Sequence, residues 1–384
     1  MSESPPPEKA LPVIYDFLVI GGGISGASAA YELASQGSVL LLEAEKSAGY
    51  HSTGRSAALF TRNYGAPTVR RINAASAPFF KSPPVGFCDT PLLSPRGSLT
   101  VAAPGDEVAL EPLLAASEPG EEVVRVTVDE ALERVPFLRP ERVADAVFEA
   151  NVTDIDVAGL HQSFLKGLRA RRGAVLTSQR VVALERGAGG WTVKTASESH
   201  EAGMVINAAG AWADQIGKLA GAKPIGLVAK RRTAIIIDAP DGTDIPGLPA
   251  VDFAGTDIYL KPDAGKLMAS PGDATPIEPQ DVQPDEMDIA ILADWLQRET
   301  LIPVKRIPHS WAGLRNFVAD EVPVVGFDDE LEGFFWLAGQ GGYGIMMAPA
   351  LAQHTMHLCT ANQPSPSLIA LGIDDDALSP NRLR

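Results

Sequence analysis

Residues 16–26 read Asp16-Phe17-Leu18-Val19-Ile20-Gly21-Gly22-Gly23-Ile24-Ser25-Gly26, a short apolar run that ends in closely spaced glycines. The run is rich in strand formers, and glycines at 21, 23 and 26 make a G-x-G-x-x-G spacing. That spacing has a mechanism. The first glycine makes a tight strand-to-helix turn, the second lets backbone approach a pyrophosphate, and the third lets helix and strand pack closely. From Ile24 to Ser35 the residues are small or helix-forming, and Gly37 stands where a helix would stop. Ser38-Val39-Leu40-Leu41-Leu42-Glu43 then predicts a second buried strand that closes a βαβ unit. Glu43 ends it about 20 residues past the first glycine, where a carboxylate meets ribose hydroxyls. Gly21, Gly23, Ile24, Ser25, Gly26, Glu43 and Ala44 are therefore candidate dinucleotide-binding residues.

Around this unit lies a chain of 384 residues with 32 basic and 48 acidic side chains, a formal charge of −16. The length suggests two domains, and 45% hydrophobic with 21% charged residues excludes a wholly disordered chain. The acidic balance argues against a nucleic-acid partner, which needs a basic footprint, but leaves a small anionic cofactor open. Two cysteines, Cys88 and Cys359, are too few for a disulfide framework or a structural zinc site and read as apolar core residues. Residues 1–12, with Pro5-Pro6-Pro7 and no apolar core, read as a disordered tail rather than a signal peptide. No stretch approaches the ~18 uninterrupted apolar residues of a membrane span, so cytoplasmic residence is expected.

Two features point to FAD rather than NAD. After Glu43 the chain enters a polar loop, Tyr50-His51-Ser52-Thr53-Gly54-Arg55-Ser56-Ala57-Ala58, instead of the third strand of an NAD domain. A late strand, Phe334 to Ala338, runs into Gly339-Gln340-Gly341-Gly342-Tyr343-Gly344-Ile345 and a helix from about Gly344 to Cys359. A helix N-terminus there would stabilise negative charge on a reduced flavin. A helix is also expected from Val157, with Asp156 as its N-cap, and strand-like text fills 225–318.

The fingerprint, the loop Ser52 to Ala57, Asn207-Ala208-Ala209-Gly210-Ala211-Trp212, Trp311-Ala312-Gly313-Leu314-Arg315 and Gly341 to Gly344 together resemble the D-amino-acid oxidase superfamily of flavoproteins. Longer stretches look closest to bacterial D-arginine dehydrogenases: Gly49 to Ala58, Pro91 to Arg96, Lys230-Arg231-Arg232, Tyr259 to Gly265 and Leu378-Ser379-Pro380. The resemblance implies an α/β fold in which a Rossmann-type, glutathione-reductase-like FAD domain (13–90, 145–225 and 319–384) interleaves with a substrate domain. That domain, 91–144 and 226–318, is α+β on a mixed or antiparallel sheet. It implies oxidative deamination of a D-amino acid to a 2-oxo acid and ammonia, with hydride passing from Cα to flavin N5. Alternatives on the same fold are a peroxide-producing amino-acid oxidase, an N-methyl or cyclic amino-acid oxidase, and a 2-hydroxy-acid dehydrogenase. The electron acceptor, a quinone or an electron-transfer protein, stays open.

Carried residue by residue, the resemblance places Ser52, Thr53, Arg55, Ser56, Ala57, Val182, Ala209, Gly210, Trp212, Arg315, Gly341, Gly342, Tyr343, Gly344 and Ile345 at the cofactor. Arg315 and Arg232 match its carboxylate-binding arginines, with Arg231 competing for the second role. Tyr259 and Tyr64 match pocket tyrosines, and the Gly342 carbonyl an acceptor for the substrate amine. Leu59, Thr61, Ser98, Ala250 and Asp252 fall at substrate-specifying positions. A histidine and a glutamate that the arginine dehydrogenases carry are replaced by Leu59 and Gly97-Ser98, which predicts neutral or hydrophobic substrates over arginine and lysine. Asp252 would restore a charge if it faced the pocket, but reads more readily as a surface-loop aspartate. Ser310 and Ala312 flank Trp311 where covalent flavin attachment would need a cysteine, so FAD should be non-covalent. Of Lys266 and Met268, two apart in one strand, Met268 is expected beside the flavin.

Overall fold

The computed structural model describes residues 14–117 and 120–384, so the tail expected over 1–12 lies outside the described residues. The expected βαβ unit forms from strand Ile14–Ile20, helix Ile24–Leu33 and strand Val39–Leu42. Two further strands, Ser199–Asn207 and Phe334–Ala338, extend one edge in parallel, and Ala174–Leu176 extends the other. The inner strands are buried on both sides, because alternate residues serve two cores. Phe17, Val19, Val39 and Leu41 pack under helices, whereas Leu18, Ile20, Leu40 and Leu42 pack with Trp191, Val193 and Trp336 on the opposite face. The parallel strands all end toward one side, at Gly21, Glu43, Ala208 and Gly339. That is where open α/β sheets bind ligands.

Helix Val157–Ala170 starts as expected, with the Asp156 carboxylate accepting from Gly159 N–H at 2.8 Å. Two of the longer helices lie where no helix was expected. Pro67–Lys81 carries Pro78 inside it and is followed by Pro83 and Pro84, and Glu286–Glu299 lies in text that otherwise reads as strand and loop.

A second, mixed sheet of eight strands runs in the order 309–317, 228–237, 266–270, 259–263, 250–253, 98–102, 145–149, 123–126. The return to the first layer expected at 145 comes later. Asp145–Glu149 pairs with Ser98–Ala102, placing Ala146 in the apolar core of this sheet. Strand alternation gives the sheet two different faces. Leu99, Ile235, Ile237, Val251, Phe253, Leu260, Leu267 and Ala269 pack under helix Glu286–Glu299. The intervening residues, Ser98, Arg232, Asp252, Tyr259, Met268 and Arg315 among them, face the other way. Among the described residues no helix is long and apolar enough to cross a membrane.

Candidate active site

A cavity of about 360 Å³ lies between the ends of the parallel strands and the polar face of the second sheet. Its glycine loop divides labour as the spacing predicts. Gly21 has φ +110°, and a Cβ there would lie 2.3 Å from the Ala208 carbonyl oxygen. A Cβ on Gly26 would lie 1.9 Å from the Gly21 oxygen, so Gly26 packs helix against strand and does not line the cavity. Gly23 is open: the nearest atom to an added Cβ is Thr53 Oγ1 at 3.3 Å. Gly21, Gly23, Ile24, Ser25 and Ala44 all line the wall.

Glu43 is buried, and both its oxygens are engaged by backbone. Gly22 N–H donates to Oε2 and Glu45 N–H to Oε1, each at 2.8 Å. It therefore fixes the loop, and an acceptor with lone pairs to spare still faces the cavity it lines. Ile24 N–H donates to Thr53 Oγ1 at 2.9 Å, which explains why Thr53 belongs here.

The polar loop is tied to the second sheet. Ser52 Oγ donates to the Leu314 carbonyl at 2.7 Å, and Trp311 Nε1 donates to the Arg55 carbonyl at 3.1 Å. Arg55 lines the cavity, yet its guanidinium donates to the Val282 and Ala312 carbonyls at 3.1 and 3.0 Å and pairs with Asp281. Ser56 and Ala57 also line it, and Lys261 Nζ donates to the Ala57 carbonyl at 3.0 Å. Ala209, Gly210 and Trp212 close the wall from the strand Ser199–Asn207, and Gly341, Gly342, Gly344 and Ile345 from the late helix. Val182 is a correction: its side chain is 49% exposed, and Val181, one residue earlier, takes the wall. Neither cysteine reaches the cavity. Cys359 lies in the first sheet's helical core, where burial pushes its thiol up to about 12, and Cys88 packs against that core.

At the other end, alternation decides between the adjacent arginines. Arg231 points toward helix Glu286–Glu299, where Asp273, Asp285 and Asp288 hold it at 3.2, 3.6 and 2.7 Å. Arg232 faces the cavity with a buried Nε that has no partner among the described residues. Pairing of Lys230 with Arg315 and Arg232 with Gly313 places Arg232 and Arg315 diagonally on one face. No carboxylate of the described residues lies within ion-pair distance of either. Burial, and then the Arg315 charge, lowers the Arg232 pKa. Gly342 lies directly on Arg315, where a Cβ would come within 3.0 Å of Cζ.

Tyr259 lines the cavity, whereas Tyr64 stands at 46% exposure with its ring 5.0 Å from that of Tyr343. Tyr343 thus sits beside the arginines; burial and then Tyr64 push its phenol up to about 12. Met268 is buried and lines the cavity, while Lys266 pairs with Asp238 away from it.

Leu59, Thr61, Ser98, Ala250 and Asp252 do not line the cavity itself. Asp252 is no surface-loop residue: it lies in strand Ala250–Phe253, opposite Tyr259, and accepts from Ser98 Oγ at 3.0 Å. Burial pushes its carboxyl up to about 6. Glu149, which the sequence did not single out, accepts from Thr61 Oγ1, and burial raises its pKa too. Because Asp252 binds its proton more tightly folded than unfolded, stability falls as pH rises from 4 to 6. Asp252→Asn escapes this loss. Its melting temperature should exceed the parent's above pH 6, by the equivalent of roughly 2–3 kcal/mol, with the gap closing near pH 4. An equal gap at both pH values, read by thermal denaturation, would refute the assignment.

The family profile described as FAD dependent oxidoreductase (DAO) matches residues 16–358. FAD-dependent oxidoreductase domain-containing protein 1 of Xenopus laevis is 23% identical over 403 residues, covering 92% of this chain and 79% of that protein. Mitochondrial sarcosine dehydrogenase of Mus musculus is 26% identical over 192 residues, but the match spans 47% of this chain and only 20% of that protein. The crystal structure of L-proline dehydrogenase from P. horikoshii superposes with a TM-score of 0.81 at 23% identity, covering 97% of this chain and 98% of the other.

Proposed function

The chain belongs to the DAO family of FAD-dependent oxidoreductases, and from that premise we propose that it oxidises the Cα–N bond of a D-amino acid with a neutral side chain. The product is an imino acid that water converts to a 2-oxo acid and ammonia. FAD, held non-covalently along the glycine loop and the first sheet, supplies the acceptor for the hydride.

The observation that carries this reading is the pair Arg232 and Arg315, two inward-facing guanidiniums without a carboxylate partner among the described residues. Their forks suit a substrate carboxylate bidentately, and a bound anion would relieve the repulsion that depresses Arg232. Gly342 packs directly on the Arg315 guanidinium, so its backbone carbonyl is the candidate acceptor for the amine next to the bound carboxylate. Tyr259 walls the Cα region, and the half-exposed Tyr64 packs beside Tyr343. The first sheet and its helices serve the cofactor, and the second sheet serves the substrate. Preference for the D enantiomer rests on the resemblance of the stretches at 49–58, 230–232 and 259–265.

One observation favours a second reading. Asp252 and Glu149 put two carboxyls on the Tyr259 face of the sheet, beyond the cavity lining, where a side chain long and cationic enough to reach them would find partners.

Anaerobic bleaching of bound flavin, screened over D- and L-amino acids and 2-hydroxy acids with ammonia assayed, tests the proposal. Neutral D-amino acids should bleach fastest and release one ammonia per flavin reduced. Fastest bleaching by D-arginine or D-lysine would install the second reading, and bleaching by hydroxy acids alone would sink both.

A further inference from the structure

His161 is a lone histidine on the buried face of helix Val157–Ala170, among Leu160, Phe164, Leu165 and Leu168. Such a residue reads in sequence as core. Its Nε2, however, lies 2.8 Å from the Gly22 carbonyl oxygen, 139 positions away. A carbonyl only accepts, so the histidine donates and its proton sits on Nε2. Burial lowers its pKa, which keeps the ring neutral. The ring edge also lies against the next loop, where a Cβ on Gly49 would come within 2.9 Å of Cε1.

Gly22 is thereby held from both sides, its N–H by Glu43 and its C=O by His161. The unit joining Gly22 to Gly23 is a trans peptide, in which C=O and N–H point in opposite directions. Drawing the carbonyl toward the helix therefore sends the Gly23 N–H the other way, toward the cavity. Gly23 lines that cavity and Gly22 does not. Gly23 N–H has no acceptor among the described residues, and Gly23 caps helix Ile24–Leu33, whose N-terminus favours an anion.

We infer that His161 is a positioning residue for the cofactor: by donating Nε2–H to the Gly22 carbonyl it aims the Gly23 N–H at the FAD pyrophosphate. The inference rests on FAD occupying this cavity and is independent of the substrate. Without the donor, the Gly22–Gly23 peptide can rotate and the anion loses an aligned N–H.

The test strips FAD from wild type, H161L and H161Q and titrates each apoprotein with FAD, following flavin fluorescence quenching, and with ADP by calorimetry. H161L should bind both about tenfold more weakly, the cost of one lost charge-assisted hydrogen bond. H161Q, whose amide still donates, should recover binding to within about threefold of wild type. The apoprotein melting temperature of H161L should stay close to that of H161Q, which separates aiming from packing. Unchanged FAD affinity in H161L, or H161Q as weak as H161L, overturns the inference. If H161L does not fold, H161M, of similar bulk and without a donor, takes its place. Failure of wild-type apoprotein to bind FAD would instead strike the cofactor assignment itself.

Discussion

Arg315→Leu should lower kcat/KM for the amino-acid substrate about a thousandfold, roughly 4 kcal/mol, with most of the loss in KM. The magnitude follows from what the guanidinium does in the cavity it lines. It is half-buried, it has no carboxylate of the protein to fall back on, and the substrate carboxylate would be its one opposite charge. Arg315→Lys should recover little, because an ammonium is a point charge and cannot make the two parallel bonds of the fork. The variant should still fold and hold FAD. Removing Arg315 relieves a like-charge neighbour that depresses Arg232, so the apoprotein has no ion pair to lose there. Stopped-flow reduction over a substrate titration separates the terms. An unchanged KM in Arg315→Leu would remove Arg315 from the carboxylate site.

Gly23→Ala should leave a folded apoprotein that binds FAD at least about a hundredfold more weakly, some 2.7 kcal/mol. Gly23 has φ −71° and ψ −178°, ordinary backbone for alanine, and an added Cβ meets only Thr53 Oγ1 at 3.3 Å. The methyl group instead occupies the space a phosphate must enter. Gly26→Ala behaves differently, since its Cβ would stand 1.9 Å from a backbone oxygen, and the βαβ unit itself should fail. Apoprotein circular dichroism paired with an FAD titration distinguishes the two. Tight FAD binding by Gly23→Ala would mean the pyrophosphate does not approach there.

What the sequence could and could not disclose divides by range. The glycine loop, the Asp156 cap and the two strands about it were legible because their signals lie within a few residues of each other. The choice between Arg231 and Arg232 was not. It depends on which side of a strand faces the cavity, and a slip of one residue reverses it. Asp252 misled for the same reason: beside Gly255 and Asp257 it looks like loop, and only its pairing opposite Tyr259 puts it inside the sheet. Glu149 and His161 gave no local sign, because Thr61 and Gly22, their partners, are 88 and 139 residues distant. Helix Glu286–Glu299 did carry a signal. Asp285 before an apolar pair at Leu292 and Leu296 is a start with a buried stripe, masked by the prolines upstream.

The two-faced second sheet has a consequence for how this protein can change over generations. Arg232, Tyr259, Met268 and Asp252 share their strands with Ile235, Leu260, Leu267 and Val251 but never their positions. Every second codon along these strands therefore writes the face turned toward the cavity, and the codons between them write the apolar core. A lineage can drift through new ligand preferences by point substitution at alternate sites while its scaffold is inherited intact. Insertion or deletion of a single codon within one of these strands exchanges the two scripts at once. Selection should purge such changes here while tolerating them in the connecting loops.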